Sequence, residues 1–457
     1  MRHTVRHATA TVLAAGLVML SGSAMATNGY FTHGVGTESK GMAGTGVGSP
    51  TDLGGIAVAT NPALAVFSDE KWQVGLAIFS PRRSYTASDS LAEGAGGAFT
   101  LSSGKYDSAN EAFPIPYIAK NWELANGNAL SFVFYGRGGM NTEWDSGQSA
   151  FFDPAPGNPF GPGVIEAPGV YGGGKAGVDL MQAFLSVNYA WKVSDSFAVG
   201  FGPVVAVQMF EALGLGNFAP YTQTFADTFP GIFESAVTSC VVAGGDPLVC
   251  QAQQQLPAQM QAAGGVTKLT NNGHDTSTGF GGAIGIWGGS DSFSYGLAYQ
   301  SKMSMSEFDD YAELYAEAGG FDIPSTIKAG ISFRASDSAR INLDIERINF
   351  SDVDSIHNSV MNLITGCYTA GFAPPPESSG CLGGPNGAGF GWQDVTAYKA
   401  GIEWQSNEKN TWRFGFSYAE QPIPSSEVLF NILAPGVMEY HLTAGWTSER
   451  PNGNVMS

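Results

Sequence analysis

The chain has 457 residues, 13% of which are charged, and a formal net charge of −19; glycine alone contributes 62 residues. Soluble domains typically have about 25% charged residues, so the composition argues against an ordinary soluble enzyme. The acidic excess also argues against a nucleic-acid partner, because such partners are polyanions.

The first 26 residues have the pattern of a secretory signal peptide. Arg2 and Arg6 precede an apolar run over residues 8–20, and Ala24-Met25-Ala26 is a small-x-small cleavage site. This run is shorter than the ~20 residues that a membrane-spanning helix needs. We therefore predict an exported mature chain. Without Arg2 and Arg6, 19 of the 21 basic residues remain against 40 acidic ones, giving a net charge of −21.

Residues 27–68 form a glycine-rich segment without a strand pattern. It is too long to be a simple leader. If the residues that follow form a β-barrel whose first strand starts at the periplasmic side, such a segment either hangs free or folds back into the lumen of that barrel. Composition alone leaves both possibilities open.

Twelve stretches of alternating side chains follow, and the connections between them are alternately long and short. The short connections are rich in Asn, Ser, Asp and Gly, which accept tight-turn geometry. Short periplasmic turns and long outer loops are typical of bacterial outer-membrane barrels. The predicted strands are 71–80, 113–122, 129–139, 179–192, 197–210, 276–288, 292–305, 324–334, 340–351, 393–404, 411–419 and 437–447.

The side chains within these strands alternate with a period of two. In residues 411–418, for example, every even position is aromatic and every odd position is polar or glycine. A soluble β-sandwich would show the same period, so alternation does not give the orientation. Export, the low charge content and the space inside twelve or more strands favour an apolar outer face and a polar lumen. We therefore predict an all-β fold, a transmembrane antiparallel β-barrel.

The four cysteines form two close pairs, Cys240 with Cys250 and Cys367 with Cys381, and each pair lies within one long loop. Because the periplasm is oxidising, we predict two local disulfides. Four free thiols are the alternative.

The sequence contains no pattern that predicts an enzyme. The four histidines of the mature chain form no metal motif, no Gly-x-Ser-x-Gly elbow occurs, and the glycines of residues 44–48 lack the Lys-Ser/Thr pair of a phosphate loop. We predict no catalytic residues, no cofactor and no metal. An outer-membrane lipid hydrolase and a general porin are the alternatives.

A series of motifs runs along nearly all of the mature chain. They are Asn28-Gly29-Tyr30-Phe31, residues 36–44, Asn61-Pro62-Ala63, residues 135–141, residues 323–330 and residues 433–442. In this order they resemble the FadL family of outer-membrane transporters for long-chain fatty acids and other hydrophobic compounds.

This resemblance implies a 14-stranded barrel with residues 27–68 as an N-terminal hatch that plugs the lumen, and with Asn61, Pro62 and Ala63 as the hatch motif. It also implies a lateral opening at a kink in the third strand, which here contains Gly136, Gly138 and Gly139. Glycines in a strand permit a bulge, although they could also simply relieve crowding in the lumen.

Only about twelve of these strands occur in residues 69–457. We therefore expect a chain that lacks its last two strands; a barrel that closes with fewer strands is the alternative. An open strand edge in hydrocarbon would leave backbone groups unpaired.

Two sets of residues are candidates for ligand binding. The first set lies in long outer loops and resembles a hydrophobic capture site: Leu215, Phe218, Tyr221, Phe225, Phe229, Phe233, Phe308, Tyr311, Leu314 and Tyr315. Packing of the loops is the alternative role. For a ligand carboxylate, alternation places Arg137, Lys328, Lys399 and Arg413 on the inner face, with Arg137 and Lys328 as the preferred pair. Their alternative role is pairing with Asp344, Glu346 or Glu403.

We therefore predict a monomer in the outer membrane of a Gram-negative bacterium that takes up long-chain fatty acids or similar molecules by passive diffusion. Aromatic hydrocarbons or alkanes are the alternative substrates. The expected partners are hydrophobic small molecules, outer-membrane lipid and lipopolysaccharide. The acidic loop at residues 307–322 is either solvated or bridged to lipopolysaccharide by divalent cations.

Overall fold

The computed structural model describes residues 27–88, 100–153, 163–228, 242, 265–367, 378–451 and 453–457. The predicted signal peptide lies outside the described residues. Twelve long strands pair with one another in chain order and form one curled antiparallel sheet. They are β1 (Trp72–Phe79), β2 (Phe113–Glu123), β3 (Ala129–Trp144), β4 (Ala176–Ser194), β5 (Phe197–Leu213), β6 (Asp275–Gly289), β7 (Phe293–Gln300), β8 (Thr326–Ser336), β9 (Ala339–Ile348), β10 (Val395–Asn407), β11 (Asn410–Ala419) and β12 (Tyr440–Glu449).

These strands confirm the antiparallel β fold that the alternation predicts. Their bounds differ from the prediction mainly at two places. Strand β3 continues to Trp144, beyond the predicted end at residue 139. Strand β7 ends at Gln300, and the short strand Ser304–Met305 then pairs with β6 separately, because residues 301–303 interrupt the ladder.

The two ends of the sheet have different neighbours. Strand β1 pairs with β2, and β12 pairs with β11 and with the short strand Val455–Met456. In the described part of the chain, no backbone pairing joins β1 to β12.

The apolar faces of the strands point outward, as predicted. On β11, Phe414 and Phe416 are 45% and 47% exposed, whereas their neighbours Arg413 and Ser417 are buried. On β1, the outward residues Val74 and Leu76 are also strongly exposed. An outer face of this kind suits bilayer hydrocarbon, and the inner face provides polar groups to the lumen.

Short helices occupy the hatch and the connections. The α-helices are Thr37–Gly41, Ala316–Gly319, Asp354–His357, Asn362–Thr365 and Val428–Asn431, and the 3-10 helices are Gly55–Ala59, Pro62–Phe67, Ala125–Gly127, Gly216–Tyr221, Asp309–Tyr311, Phe350–Asp352 and Ser425–Glu427. None of the helices in the described residues has the length and apolarity needed to cross a bilayer.

The first outer loops also contain strands that the sequence analysis missed. Ser84–Ala87 pairs with Gly104–Asp107, and Gln148–Asp153 pairs with both Thr100–Leu101 and Gly163–Pro168. Glycine and proline interrupt the alternation in these loops, so the period gives no signal there.

Residues 27–68, the predicted hatch, lie against the inner face of the sheet and are hydrogen-bonded to several wall strands. The carboxylate of Asp344 on β9 accepts from the backbone N–H groups of Gly46 at 2.7 Å and Val47 at 3.0 Å. The indole of Trp287 on β6 donates to the carbonyl oxygen of Gly48 at 3.0 Å. These wall groups satisfy hatch backbone that would otherwise be buried without partners.

Candidate functional site

The predicted hatch motif fixes the hatch to strands β5 and β6. The side-chain amide of Asn61 donates to the carbonyl oxygens of Val47 at 2.9 Å and Ile286 at 3.0 Å, and its oxygen accepts from the N–H of Ala63 at 3.0 Å. Asn61 is fully buried. Pro62 begins the 3-10 helix, at a position where its missing N–H costs nothing.

The wall facing this motif contains glycine because the hatch approaches it closely. A Cβ atom at Gly200 on β5 would lie 2.2 Å from the backbone carbon of Pro62. A Cβ atom at Gly285 on β6 would lie 2.0 Å from the side-chain oxygen of Asn61. Any larger residue at either position would therefore push the hatch away from the wall.

Strand β3 leaves its neighbour β2 at the predicted glycines. The β1–β2 ladder continues to the pair Phe79 and Phe113, but the β2–β3 ladder stops at the pair Tyr117 and Tyr135. Beyond Tyr135, β3 pairs with the hatch instead, since Gly138 faces Phe31.

A bulge accompanies this departure. In the ladder with β4, Gly138 faces Gln182 and Gly136 faces Ala183, so Arg137 between them is the extra residue. A Cβ atom at Gly136 would lie 2.7 Å from the side chain of Ile115 on β2. The glycine is therefore needed where the two strands separate.

The sequence of β2 next to this break suits a strand edge that has no backbone pairing with β3. It contains Pro114 and Pro116, which have no N–H to offer a neighbouring strand. Backbone pairing is thus absent between residues Phe113–Pro116 of β2 and Gly136–Gly139 of β3, and we call this break in the ladder the lateral gap.

The two predicted carboxylate-binding residues meet at one acid in the lumen. Arg137 and Glu346 are 3.1 Å apart, and Lys328 and Glu346 are 3.7 Å apart. Lys399, which the sequence analysis placed on the same inner face, lies 2.6 Å from the other oxygen of Glu346. These four residues, from β3, β8, β9 and β10, form what we call the luminal charge cluster.

This cluster also contacts the hatch. The ammonium group of Lys399 donates to the carbonyl oxygen of His33 at 2.8 Å. The guanidinium of Arg137 lies 4.3 Å from the ring centre of Phe31, a cation–π distance. The predicted alternative role of Arg137 and Lys328, pairing with a lumen acid, is thus what the structure shows. Arg413 pairs in the same way with Glu403, at 2.7 Å.

The predicted capture loops come together above the hatch. Leu215, Phe218, Leu314 and Tyr315 line one small cavity of about 40 Å³, which we call the capture pocket. Phe308 and Tyr311 pack behind it against Phe210. Tyr221 and Phe225 lie on the neighbouring helical segment, partly buried. Phe229 and Phe233 lie outside the described residues.

Two further loops complete the capture pocket, and the sequence analysis did not include them. They contribute Leu382, Ala388 and Phe390 from one loop and Phe430 and Leu433 from the other. Large apolar residues in an outer loop were the available signal, because a solvated loop has no reason to contain them.

A disulfide lies beside this pocket. Cys367 and Cys381 are bonded, with Cα atoms 4.5 Å apart, and both side chains are buried. Cys240 and Cys250 lie outside the described residues.

The residues after Cys381 bridge the two predicted capture loops. Leu382 donates its N–H to the carbonyl oxygen of Tyr221 at 2.9 Å, and Gly384 accepts from the N–H of Glu317 at 3.0 Å. Gly383 accepts from Ala318 at 3.0 Å. We call Leu382–Gly384 the bridging strip. Glu317 and Ala318 have φ values of 56° and 57°, which are unfavourable for residues other than glycine, and the strip stabilises this backbone.

A much larger cavity, of about 1000 Å³, lies on the turn side of the hatch. Polar and charged residues together make up most of its lining, among them Glu38, Asp52, Arg340, Glu403 and Arg413, although apolar side chains such as Leu76 also contribute. Hydrophobic molecules are poorly accommodated by such a surface. Throughout the described residues, no group of three or more His, Cys, Asp or Glu side chains is placed to hold a metal ion.

A curled antiparallel sheet with an apolar outer face and a folded segment in its lumen defines a transport barrel of the outer membrane. Residues 165–448 match the family described as outer membrane protein transport protein (OMPP1/FadL/TodX). None of the curated proteins matches the sequence.

Three solved structures have a similar fold over most of their length. The toluene transporter TbuX of Ralstonia pickettii has 16% identity and a TM-score of 0.51, with 93% of this chain and 91% of that chain covered. The toluene transporter TodX of Pseudomonas putida has 14% identity, a TM-score of 0.51 and coverages of 91% and 89%. A FadL homologue of Pseudomonas aeruginosa has 14% identity, a TM-score of 0.51 and coverages of 93% and 88%.

Because the family match spans more than half of the chain, this protein belongs to the OMPP1/FadL/TodX family. It is an outer-membrane protein of a Gram-negative bacterium, and its family transports hydrophobic compounds.

Proposed function

We propose that this protein takes up long-chain fatty acids or similar hydrophobic molecules by passive diffusion, from the capture pocket through the lumen to the lateral gap. The observation that carries the proposal is the departure of β3 from β2 at Gly136. It provides a way out through the wall, while the hatch blocks the lumen below.

The energetics favour a sideways exit over a straight one. Each methylene group exposed to water costs ~0.8 kcal/mol, so a chain of ~16 carbons would face roughly 12 kcal/mol. The straight path leads past the hatch into the large cavity lined by charged groups. The lateral gap opens instead towards bilayer hydrocarbon, where the apolar chain stays out of water.

The charges of the luminal charge cluster favour a ligand with an anionic head group. Arg137, Lys328 and Lys399 share the single carboxylate of Glu346. Even with the nearby Asp344, which is hydrogen-bonded to the hatch, three cations face two acids. The remaining positive charge would attract a fatty-acid carboxylate.

A second candidate substrate class is aromatic hydrocarbons. TodX and TbuX are described as toluene transporters. The capture pocket, at about 40 Å³, is also closer in size to a small ring than to a long chain. Titrating the purified protein with radiolabelled palmitate and with toluene in parallel separates the two classes.

The lateral route is tested by closing the gap. Replacing Gly136 by valine places a side chain where Ile115 lies, and we expect β3 to shift and uptake of the bound substrate into intact cells to fall at least tenfold. Gly282→Ala on β6 is the matched control, because the nearest atom to its added Cβ lies 3.8 Å away. Uptake at the wild-type rate by a folded Gly136→Val protein would rule out the lateral gap as the exit.

A further inference from the structure

The capture pocket is apolar except at two side chains of the described lining. Ser355 is one of them, and its hydroxyl donates to the carbonyl oxygen of Gly320 at 2.5 Å. Tyr315 is the other. Its hydroxyl oxygen is buried and has no hydrogen-bond partner among the described residues, and the residue is only 3% exposed.

The ring of Tyr315 is held in place by three other aromatic rings. Its centre lies 4.8 Å from Phe210, 4.8 Å from Phe321 and 6.3 Å from Phe308. The side chain therefore cannot turn its hydroxyl out to water without disrupting this packing. A buried hydroxyl without a partner costs free energy and is uncommon in native proteins, so a ligand that supplies a hydrogen bond here would gain affinity.

We propose that Tyr315 is a specificity-determining residue, whose hydroxyl hydrogen-bonds the polar group of a hydrophobic ligand in the capture pocket. The pocket would then select hydrophobic molecules with one hydrogen-bonding group, such as a carboxylic acid, an alcohol or a phenol, over pure hydrocarbons. This inference rests on the proposed function, in which the pocket is the first binding site.

The selectivity follows from the unpaired hydroxyl of Tyr315. Burial raises the pKa of Tyr315 well above its ordinary value, so the hydroxyl keeps its proton and can donate as well as accept. A polar ligand satisfies this hydroxyl, whereas a hydrocarbon of the same shape leaves it unpaired.

Binding also requires the loops to separate. The pocket of about 40 Å³ is smaller than the cavity of about 150 Å³ that holds benzene in an engineered protein. Tyr315 belongs to one wall of the pocket, and Leu382 and Phe390 belong to another. A ligand that separates these walls would uncover the Tyr315 hydroxyl, which is buried in the structure.

The test uses p-cresol and toluene, which differ by one hydroxyl. Their dissociation constants are measured by calorimetry on the full-chain protein in detergent, for the wild type and for Tyr315→Phe. We expect Tyr315→Phe to weaken p-cresol binding about fivefold and to leave toluene binding unchanged or slightly tighter.

Tyr311→Phe is the matched control. Tyr311 lies in the same loop and is equally buried, but its hydroxyl already donates to the carbonyl oxygen of Gly273 at 2.6 Å. Loss of the Tyr311 hydroxyl should leave the ratio of the dissociation constants of p-cresol and toluene as in the wild type. Tyr315→Leu is a second variant, for which we expect the same loss of preference for p-cresol.

The outcomes separate the inference from the proposed function. If the wild type binds both probes and the ratio of their dissociation constants is the same in Tyr315→Phe and Tyr315→Leu, the role of Tyr315 is wrong while hydrophobic uptake stands. If the wild type binds neither these probes nor palmitate, the proposed function fails and the inference fails with it.

Discussion

The side-chain amide of Asn61 donates to the carbonyl oxygen of Ile286 at 3.0 Å, and this hydrogen bond connects the hatch to strand β6 near its C-terminal end. The same amide group donates to Val47 within the hatch. One residue thus fixes both the internal shape of the hatch and its position in the lumen.

Replacing Asn61 by alanine should loosen the hatch without unfolding the barrel. The change removes the two hydrogen bonds from the Asn61 amide to the carbonyl oxygens of Val47 and Ile286, and it removes the acceptor of the Ala63 N–H. An unsatisfied buried donor costs about 1–3 kcal/mol. We expect the variant to show open-channel conductance in planar bilayers, where the wild type is closed.

Asn272→Ala is a suitable control for this experiment, because Asn272 is an exposed outer-loop amide that donates only to loop carbonyls. A closed, wild-type conductance trace from Asn61→Ala would show that the hatch does not depend on the motif.

Glu346 should be the residue on which the luminal charge cluster depends. In Glu346→Gln, three buried cations lose their shared carboxylate, and breaking a buried ion pair typically costs about 3–5 kcal/mol. We expect a lower free energy of unfolding in urea. We also expect tighter palmitate binding, since the ligand carboxylate no longer competes with Glu346 for Arg137 and Lys328.

Glu403→Gln separates the two effects of that substitution. Glu403 pairs with Arg413 in the same lumen but is not part of the cluster, so stability should fall while palmitate affinity stays unchanged. Equal palmitate affinity in wild type and Glu346→Gln would contradict a role of the cluster in ligand binding.

Removal of the Cys367–Cys381 disulfide should weaken ligand capture more than it weakens the barrel. A disulfide that closes a loop of about 15 residues stabilises the folded loop by on the order of 3 kcal/mol. The sequence separation here is 14, and the bridging strip that follows Cys381 connects both capture loops. We expect Cys367→Ala/Cys381→Ala to bind the substrate several-fold more weakly.

Thermal unfolding measures the effect of the same substitutions on the barrel, whose wall strands do not depend on the bridging strip. The melting temperature of the barrel should be unchanged within a few degrees. Dithiothreitol treatment of the folded wild type, which avoids refolding, should reproduce the loss of binding. Unchanged affinity in both cases would contradict the bridging role of Leu382–Gly384.

Much of the wall could be predicted from local sequence. Alternation with a period of two located all twelve strands, and export together with low charge content gave their orientation. Residues such as Phe414 and Arg413 lie on the faces that this reasoning assigned to them. The face of the sheet on which a side chain lies is a local property, because successive side chains along a strand point to opposite faces.

The candidate site could be predicted only in part. Alternation placed Arg137, Lys328 and Lys399 on the inner face, but not at one carboxylate, since they come from three different strands. Two walls of the capture pocket were missed for the same reason. The side chains of loops do not alternate regularly between polar and apolar. The contacts of each loop are set by the other loops that face it across the barrel.

By itself, the sequence therefore determined the class of fold and the outward direction of its apolar side chains, because these depend on short-range periodicity. The tertiary structure alone decided that β3 pairs with Phe31 beyond the β2–β3 ladder, that Glu346 unites three cations and that the hydroxyl of Tyr315 is buried without a partner among the described residues. Those relationships join residues far apart in the chain, and only the packing of strands, N-terminal segment and loops against one another brings them within contact distance.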